Sequence, residues 1–357
     1  MRKGLLVAIA STAIVLTTAL PSSAASGDLA CGDTVTGTVT LTRDLTCTDV
    51  GLRMTPGATL DLGGHTLRGP GSSGVALPVD ADMPLGSPVT VRNGTIRDWG
   101  WVFTTDDFNS LAVRIADASF TSVSGDVLGS MGLNATIDRS IFRDAAPGFF
   151  WGGSLTVRDS TFVDSWIEGG PSIPVITVTR STFTRAGIGG SCTDGGQIAV
   201  SDSRFTSGHG GVLAGWCRLT ITRSDFRDLE TAVRAEKNSA IGSLGTHVLA
   251  ENRFSRNGVA LDLTHRAEVT DSEFTRNRVG IISETAWLEG AAVEDITLLR
   301  NTFSRNGDGV IIDTLAHVGD NTATRNTAYG LYVPRAVDLG GNVANRNGVD
   351  CVGVVCP

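Results

Sequence analysis

The sequence predicts an all-β solenoid, a single chain wound into stacked coils of short strands. Three observations predict it: a period close to 21 residues, columns of constant character across that period, and strand-type alternation inside each repeat. The period shows first as an echo. Asn252 to Gly258 reads NRFSRNG, and Asn301 to Gly307 reads NTFSRNG.

Aligning the chain on Phe254 puts Phe120, Phe142, Phe162, Phe183, Phe205, Phe226, Phe274 and Phe303 in one slot, followed by Ala323 and Ala344. Most steps are 20 to 22 residues; two of 28 and 29 mark insertions, placed after Val233 and Ile282. Five residues before the slot, from Ile115 and Ile137 through Val318 to Leu339, every residue is apolar, as an inward position requires. Two residues before it stand mainly Ser and Asn, and three after it the later repeats carry Asn257, Asn277, Asn306, Asn326 and Asn347. Segments such as LTVRDSTF (155–162) alternate as strands do. Stacked coils lie about 4.8 Å apart, so identical side chains fall over one another. Amides and hydroxyls repeated at a bend can then bond neighbouring backbone and lie partly inside.

The chain opens on Arg2 and Lys3, an apolar run from Leu5 to Leu20, and small residues through Ala25. This is the pattern of a secretory signal peptide over residues 1–25, and secretion is the expectation. No later run approaches the ~20 apolar residues of a membrane span. Removing the leader takes away two positive charges and no negative ones, moving the net charge from −8 to −10. That excess disfavours nucleic acid as a partner. Six cysteines fall as Cys31/Cys47, Cys192/Cys217 and Cys351/Cys356. An even count at close spacing in an oxidising compartment points to three local disulfides. A zinc site is the rival use, though no C-x-x-C or clustered histidine accompanies them.

Leucine-rich repeats share the length but lean on leucine and often carry a helix, and the calcium-binding nonapeptide G-G-x-G-x-D is absent. With GATLDLGGHTLRG (57–69) after CGDTVTGTVTLTRDLTC (31–47), residues 35–350 resemble the right-handed parallel β-helix proteins of the pectin-lyase-like superfamily. The resemblance implies a single-stranded right-handed parallel β-helix of about 12–13 coils over residues 51–350, with a cap and first coil at 26–50 and a C-terminal cap at 351–357. It also brings polysaccharide lyases, hydrolases and epimerases into view, beside members without activity. SGHGG (207–211) is similar to the Gly-His-Gly of pectin-type hydrolases, but the matching paired aspartates and the Arg-Ile-Lys element are missing. After the leader the sole lysine is Lys237, which leaves a lyase-type lysine base little choice.

The column two residues after the slot carries the candidate site residues: Asp144, Asp164 and Arg185 on successive rungs, with His209 near the next. Charges repeated on neighbouring rungs belong outside a narrow apolar core. Close carboxylates can divide into an acid and a base or hold calcium, which makes these four the candidate catalytic set and calcium a candidate cofactor; the alternative is a solvated polar edge whose Asp and Arg neighbours compensate each other. Farther along, the column reads Arg256, Arg276, Arg305, Arg325 and Arg346, a stripe suited to a linear polyanion and equally to plain solvation. Trp151 and Trp166 flank the acidic rungs, as platforms for sugar rings or, in the alternative, as covers for core edges and anchors for loops. The expectation is a secreted protein that binds, and in one version processes, an extracellular acidic polysaccharide; the alternative is a non-catalytic scaffold or adhesive surface.

Overall fold

The computed structural model describes residues 28–80, 87–105, 110–129, 132–150, 152–170, 174–192, 195–236, 245–264, 266–283 and 295–357. The expected leader over residues 1–25, Trp151 and Lys237 lie outside them. Each winding has three short strands, two tight corners and one looser connection. Around Phe254 the strands are His247–Ala250, Arg253–Ser255 and Val259–Leu263. Each pairs in parallel with its counterpart on the next winding: Leu249 with Val269, Phe254 with Phe274, Leu261 with Ile281. Repetition gives a right-handed solenoid of about 13 turns with three parallel sheets, here called the first, second and third faces. Among the described residues there is no helix. Winding has begun by Thr34–Val35, which pairs with Arg53–Met54.

Phe120, Phe142, Phe162, Phe183, Phe205, Phe226, Phe254, Phe274 and Phe303 are buried at the centre. Their rings stack face to face, with centroids 4.5–5.1 Å apart and planes within 16° of parallel. The strand ladder sets that spacing. Each stacked pair adds about 0.5–1.5 kcal/mol to the gain from burial.

The polar columns are interior, apart from Asn347 at the end of the stack, which is half-buried. At the first corner the N–H of Ser140 donates to Ser160 Oγ, and the relay continues through Ser181, Ser203, Ser224, Asn252, Ser272, Asn301 and Asn321 to Asn342. At the second corner Asn257, Asn277, Asn306, Asn326 and Asn347 repeat the scheme. Asparagine does more than serine here, because its Nδ2 also donates to a core carbonyl, as Asn277 does to Phe254 O at 3.0 Å. A buried N–H left without a partner costs about 1–3 kcal/mol, which these relays avoid at every turn.

All six cysteines are disulfide-bonded, as Cys31–Cys47, Cys192–Cys217 and Cys351–Cys356, which removes the zinc alternative. Cys192–Cys217 ties adjacent windings, since Cys192 N–H donates to Gly215 O beside it. Two expectations need correction. The first insertion begins after Glu236, because the strand Asp225–Glu236 runs past Val233, and the second follows Ser283 rather than Ile282. Leu339 does not join the apolar column. The ladder slips there: Asp338 pairs with Val318, Gly340 pairs with Gly319, and Leu339 bulges out, 55% exposed.

Candidate functional site: the second corner

Among the described residues, every non-glycine residue with positive φ except Trp216 stands in one of two columns, one per corner. A left-handed residue turns the chain sharply, at a cost of roughly 1–2 kcal/mol for an L-residue. Glycine would avoid that cost, but it would carry no side chain across to the next rung. The corners use the side chain. At the first corner they read Asp117, Arg139, Asp159, Arg180, Asp202, Arg223, Glu251, Asp271, Arg300 and Asp320, alternating in sign except at Glu251–Asp271. Arg139 Nε donates to Asp117 Oδ1 at 2.7 Å and Nη2 to Oδ2 at 2.8 Å. Arg180–Asp159, Arg223–Asp202 and Arg300–Asp271 repeat this fork. Such two-bond pairs are the geometry arginine and carboxylate share best.

Asp144, Asp164 and Arg185 occupy successive rungs of the second corner, all left-handed and exposed. Arg185 Nε and Nη2 donate to Asp164 Oδ1 and Oδ2 at 2.7 and 2.6 Å. Those hydrogen bonds hold the Asp164 carboxyl below its ordinary range, against a smaller opposing effect of desolvation. Asp164 is therefore a clamped carboxylate, fit to accept or stabilise positive charge and unfit to donate a proton near neutrality. Asp144 makes no ion pair among the described residues, although its charge is felt by Arg185. His209 does not meet these residues. It sits on the strand Arg204–Gly215, is 92% exposed, and its Nδ1 lies 3.0 Å from Glu230 Oε2. Trp166 is half-buried and fills the space that a side chain at Gly187 would need, so its ring covers the neighbouring rung. Among the described residues no group of three or more His, Cys, Asp or Glu is placed to hold a metal ion.

Farther along the same corner, Arg256 forks onto Asp228, both bonds at 2.6 Å. Then the pairing stops. Arg276, Arg305, Arg325 and Arg346 follow on four consecutive rungs, exposed and with no ion pair or side-chain hydrogen bond among the described residues. The backbone stacks them in register: Arg276 N–H donates to Ser304 O, Arg305 N–H to Thr324 O and Arg325 N–H to Asn345 O. Arg278, also exposed and unpaired, adds a fifth guanidinium beside Arg276. The period alone passed over Arg278, since it falls outside the repeated column; its signal was a second basic residue three positions before Ile281. A column of Thr275, Ser304 and Thr324 runs alongside, supplying hydroxyls, of which Thr275 Oγ1 and Ser304 Oγ lie 3.2 Å apart. Together these groups present positive charge and hydrogen-bond donors along the solenoid axis.

The family model described as "Right handed beta helix region" matches residues 186–343. No curated protein matches the chain. Among solved structures it is similar to a double mutant of the periplasmic alginate epimerase AlgG, at 12% identity over 85% of this chain and 77% of that one, with a TM-score of 0.41. It is also similar to the catalytic domain of a GH87 alpha-1,3-glucanase in complex with nigerose, at 10% identity over 87% of this chain and 63% of that one, with a TM-score of 0.39. A third likeness is to tailspike protein 3 of bacteriophage CBA120, at 10% identity over 90% of this chain and 56% of that one, with a TM-score of 0.35. No helix among the described residues is long and apolar enough to cross a membrane. Strand pairing and interior ladders give the chain a right-handed parallel β-helix fold, and the family-model match covers its later windings.

Proposed function

We propose that this protein binds an acidic extracellular polysaccharide along the arginine stripe of its second corner. One observation carries the reading. The first corner sets arginine against carboxylate, as do Arg204–Asp225 and Arg253–Glu273 on the second face, while Arg114, Arg143 and Arg158 lack such a partner among the described residues singly and not on consecutive rungs of one column. Over Arg276, Arg305, Arg325 and Arg346 the same backbone position carries four cations without counter-ions. Stacked like charges repel, and a linear polyanion lying along the axis relieves that repulsion while accepting paired N–H donors from each guanidinium. Three disulfides and the leader-like residues 1–25 support an oxidising, extracellular setting.

The test is retention on an immobilised uronate polymer against a neutral glucan. The reading expects retention on the uronate polymer alone, lost between about 0.05 and 0.5 M salt as screening shortens the reach of charge. Changing Arg305 and Arg325 to Gln should abolish it. Equal retention of this variant and the parent overturns the reading.

Processing of the bound chain is the second reading, favoured by Asp144, which stands one rung from the clamped Asp164 and has no counter-ion of its own. It expects unsaturated products or new reducing ends from a uronate panel, lost in Asp144→Asn. Intact polymer after incubation would leave binding as the function.

A further inference from the structure

The second corner and the third face change character on the same rungs. Outward residues of the third face are joined in register from Arg234 to Asp262, Ile282, Ile311, Tyr332 and Val352. The first two form an ion pair at 2.9 Å. The last four are apolar or aromatic and partly exposed. Each shares its rung with one unpaired arginine: Ile282 follows Arg276, Ile311 follows Arg305, Tyr332 follows Arg325 and Val352 follows Arg346. Tyr329, outward on the same strand as Tyr332, tilts against it with ring centroids 4.9 Å apart, widening the aromatic surface.

A lone outward isoleucine is ordinary. Leu213 is one such residue earlier in the column, but four in succession, on the rungs whose corner cations lack partners, is a joint change in two columns that are not neighbours in sequence. Packing of the solenoid does not demand it, because the earlier rungs fill the same outward position with Arg234 and Asp262. Solubility disfavours it.

Building on the polysaccharide reading above, we propose that the two columns are the edges of one track that runs along the solenoid axis over the last four windings. Its ligand is an acidic glycan whose residues offer an anion on one edge and apolar groups, a ring face or an acyl substituent, on the other. The anions meet the guanidiniums, and the apolar edge meets Ile282, Ile311, Tyr332 and Val352. Rungs spaced about 4.8 Å apart take about one sugar each, for a footprint of about four residues. Aromatic rings suit the hydrocarbon face of a sugar, and tyrosine keeps its hydroxyl in water.

The experiment uses the full chain, with binding measured on polygalacturonate and on its O-acetylated form at low and high salt. Ile311→Ser with Tyr332→Ser should weaken binding roughly tenfold to one or both polymers and leave the salt slope unchanged, whereas Arg305→Gln with Arg325→Gln should flatten that slope. Tyr332→Phe should bind as the parent does, and unchanged melting curves show that each variant is folded. Parental binding by the Ile311/Tyr332 variant on both polymers overturns the two-edged track and leaves the arginine reading standing. Parental binding by both double variants overturns both. Vesicles of anionic phospholipid that bind where neither polymer does would assign the surface to lipid and also overturn the track.

Discussion

Arg256 grips Asp228 through two hydrogen bonds of 2.6 Å, and Arg276, the next member of the same column, has no acid beneath it. The two residues share backbone conformation, exposure and position in the repeat, and differ only in having a partner. That contrast separates a bracing role from the binding role proposed for the stripe, and it leads to experiments on both.

Restoring the pairing should trade binding for stability. Arg305→Asp sets a carboxylate between Arg276 and Arg325, in the geometry Asp228 offers Arg256. Exposed pairs of this kind contribute about 0.2–1 kcal/mol, so the expected rise in Tm is on the order of 1 °C. Retention on a uronate polymer should fall at the same time. Thermal melts paired with affinity chromatography check both halves; a variant that keeps full retention contradicts the site.

Asn306 is the next target. Its Oδ1 accepts from Asn277 N and Nδ2, and its own Nδ2 donates to Phe274 O and Asn326 Oδ1. Asn306→Ala strands several buried groups and should cost about 2–4 kcal/mol, read by denaturant unfolding. Asn306→Ser should cost less, since Ser165 already serves this position by accepting from Ala145 N–H.

Rings inside the phenylalanine stack, with a neighbour on each side, should be the most sensitive to truncation. Phe254→Ala removes a ring held between Phe226 and Phe274 and should cost about 3–5 kcal/mol. Phe254→Leu keeps most of the volume and should cost less. Equal losses for the two would mean that ring stacking, rather than filled space, dominates there.

Stability should fall only in strong acid. Hydrogen bonds from arginine hold the carboxyls of Asp117, Asp159, Asp164, Asp202, Asp228 and Asp271 below their ordinary range. For a carboxyl lowered on folding, the stabilisation is complete above the unfolded value of about 3.9 and fades as pH drops through the lower folded value. Tm should therefore be flat from pH 7 to about 5 with respect to these groups and decline below pH 4. A loss centred at pH 6 would point elsewhere.

Asp338 closes the last winding, accepting from Gly340 and Val355 N–H through its two oxygens and from Asn342 Nδ2. Those backbone bonds also lower its carboxyl, with the same sign of pH dependence. Asp338→Ala should raise amide exchange across Val349–Val352 and the Cys351–Cys356 loop, and leave the windings before Asn301 protected.

Much of this architecture was legible because each residue type in a solenoid meets the same surroundings once per period. The phenylalanine slot, the Ser/Asn columns and the cysteine couples each needed only that repetition. What stayed hidden depended on relations between rungs. The alternating charges from Asp117 to Asp320 lie one residue before the Ser/Asn column, yet their pairing follows from the left-handed corner, which aims each side chain at its neighbour. Leu339 was misplaced because the bulge at Asp338 belongs to the end of the stack, where no further winding enforces the register. His209 parted from Asp164 because the strand Arg204–Gly215 carries it outward toward Glu230.

The corner forks tie each winding only to its nearest neighbours, so the molecule can be lengthened without retuning what is already there. Splicing in a second copy of Asn301–Asp320 would add one cation and one isoleucine to the edge and leave every other fork intact. Under the proposed binding, affinity for a long polymer then becomes a quantity set by gene duplication, counted in whole repeats, instead of one refined residue by residue.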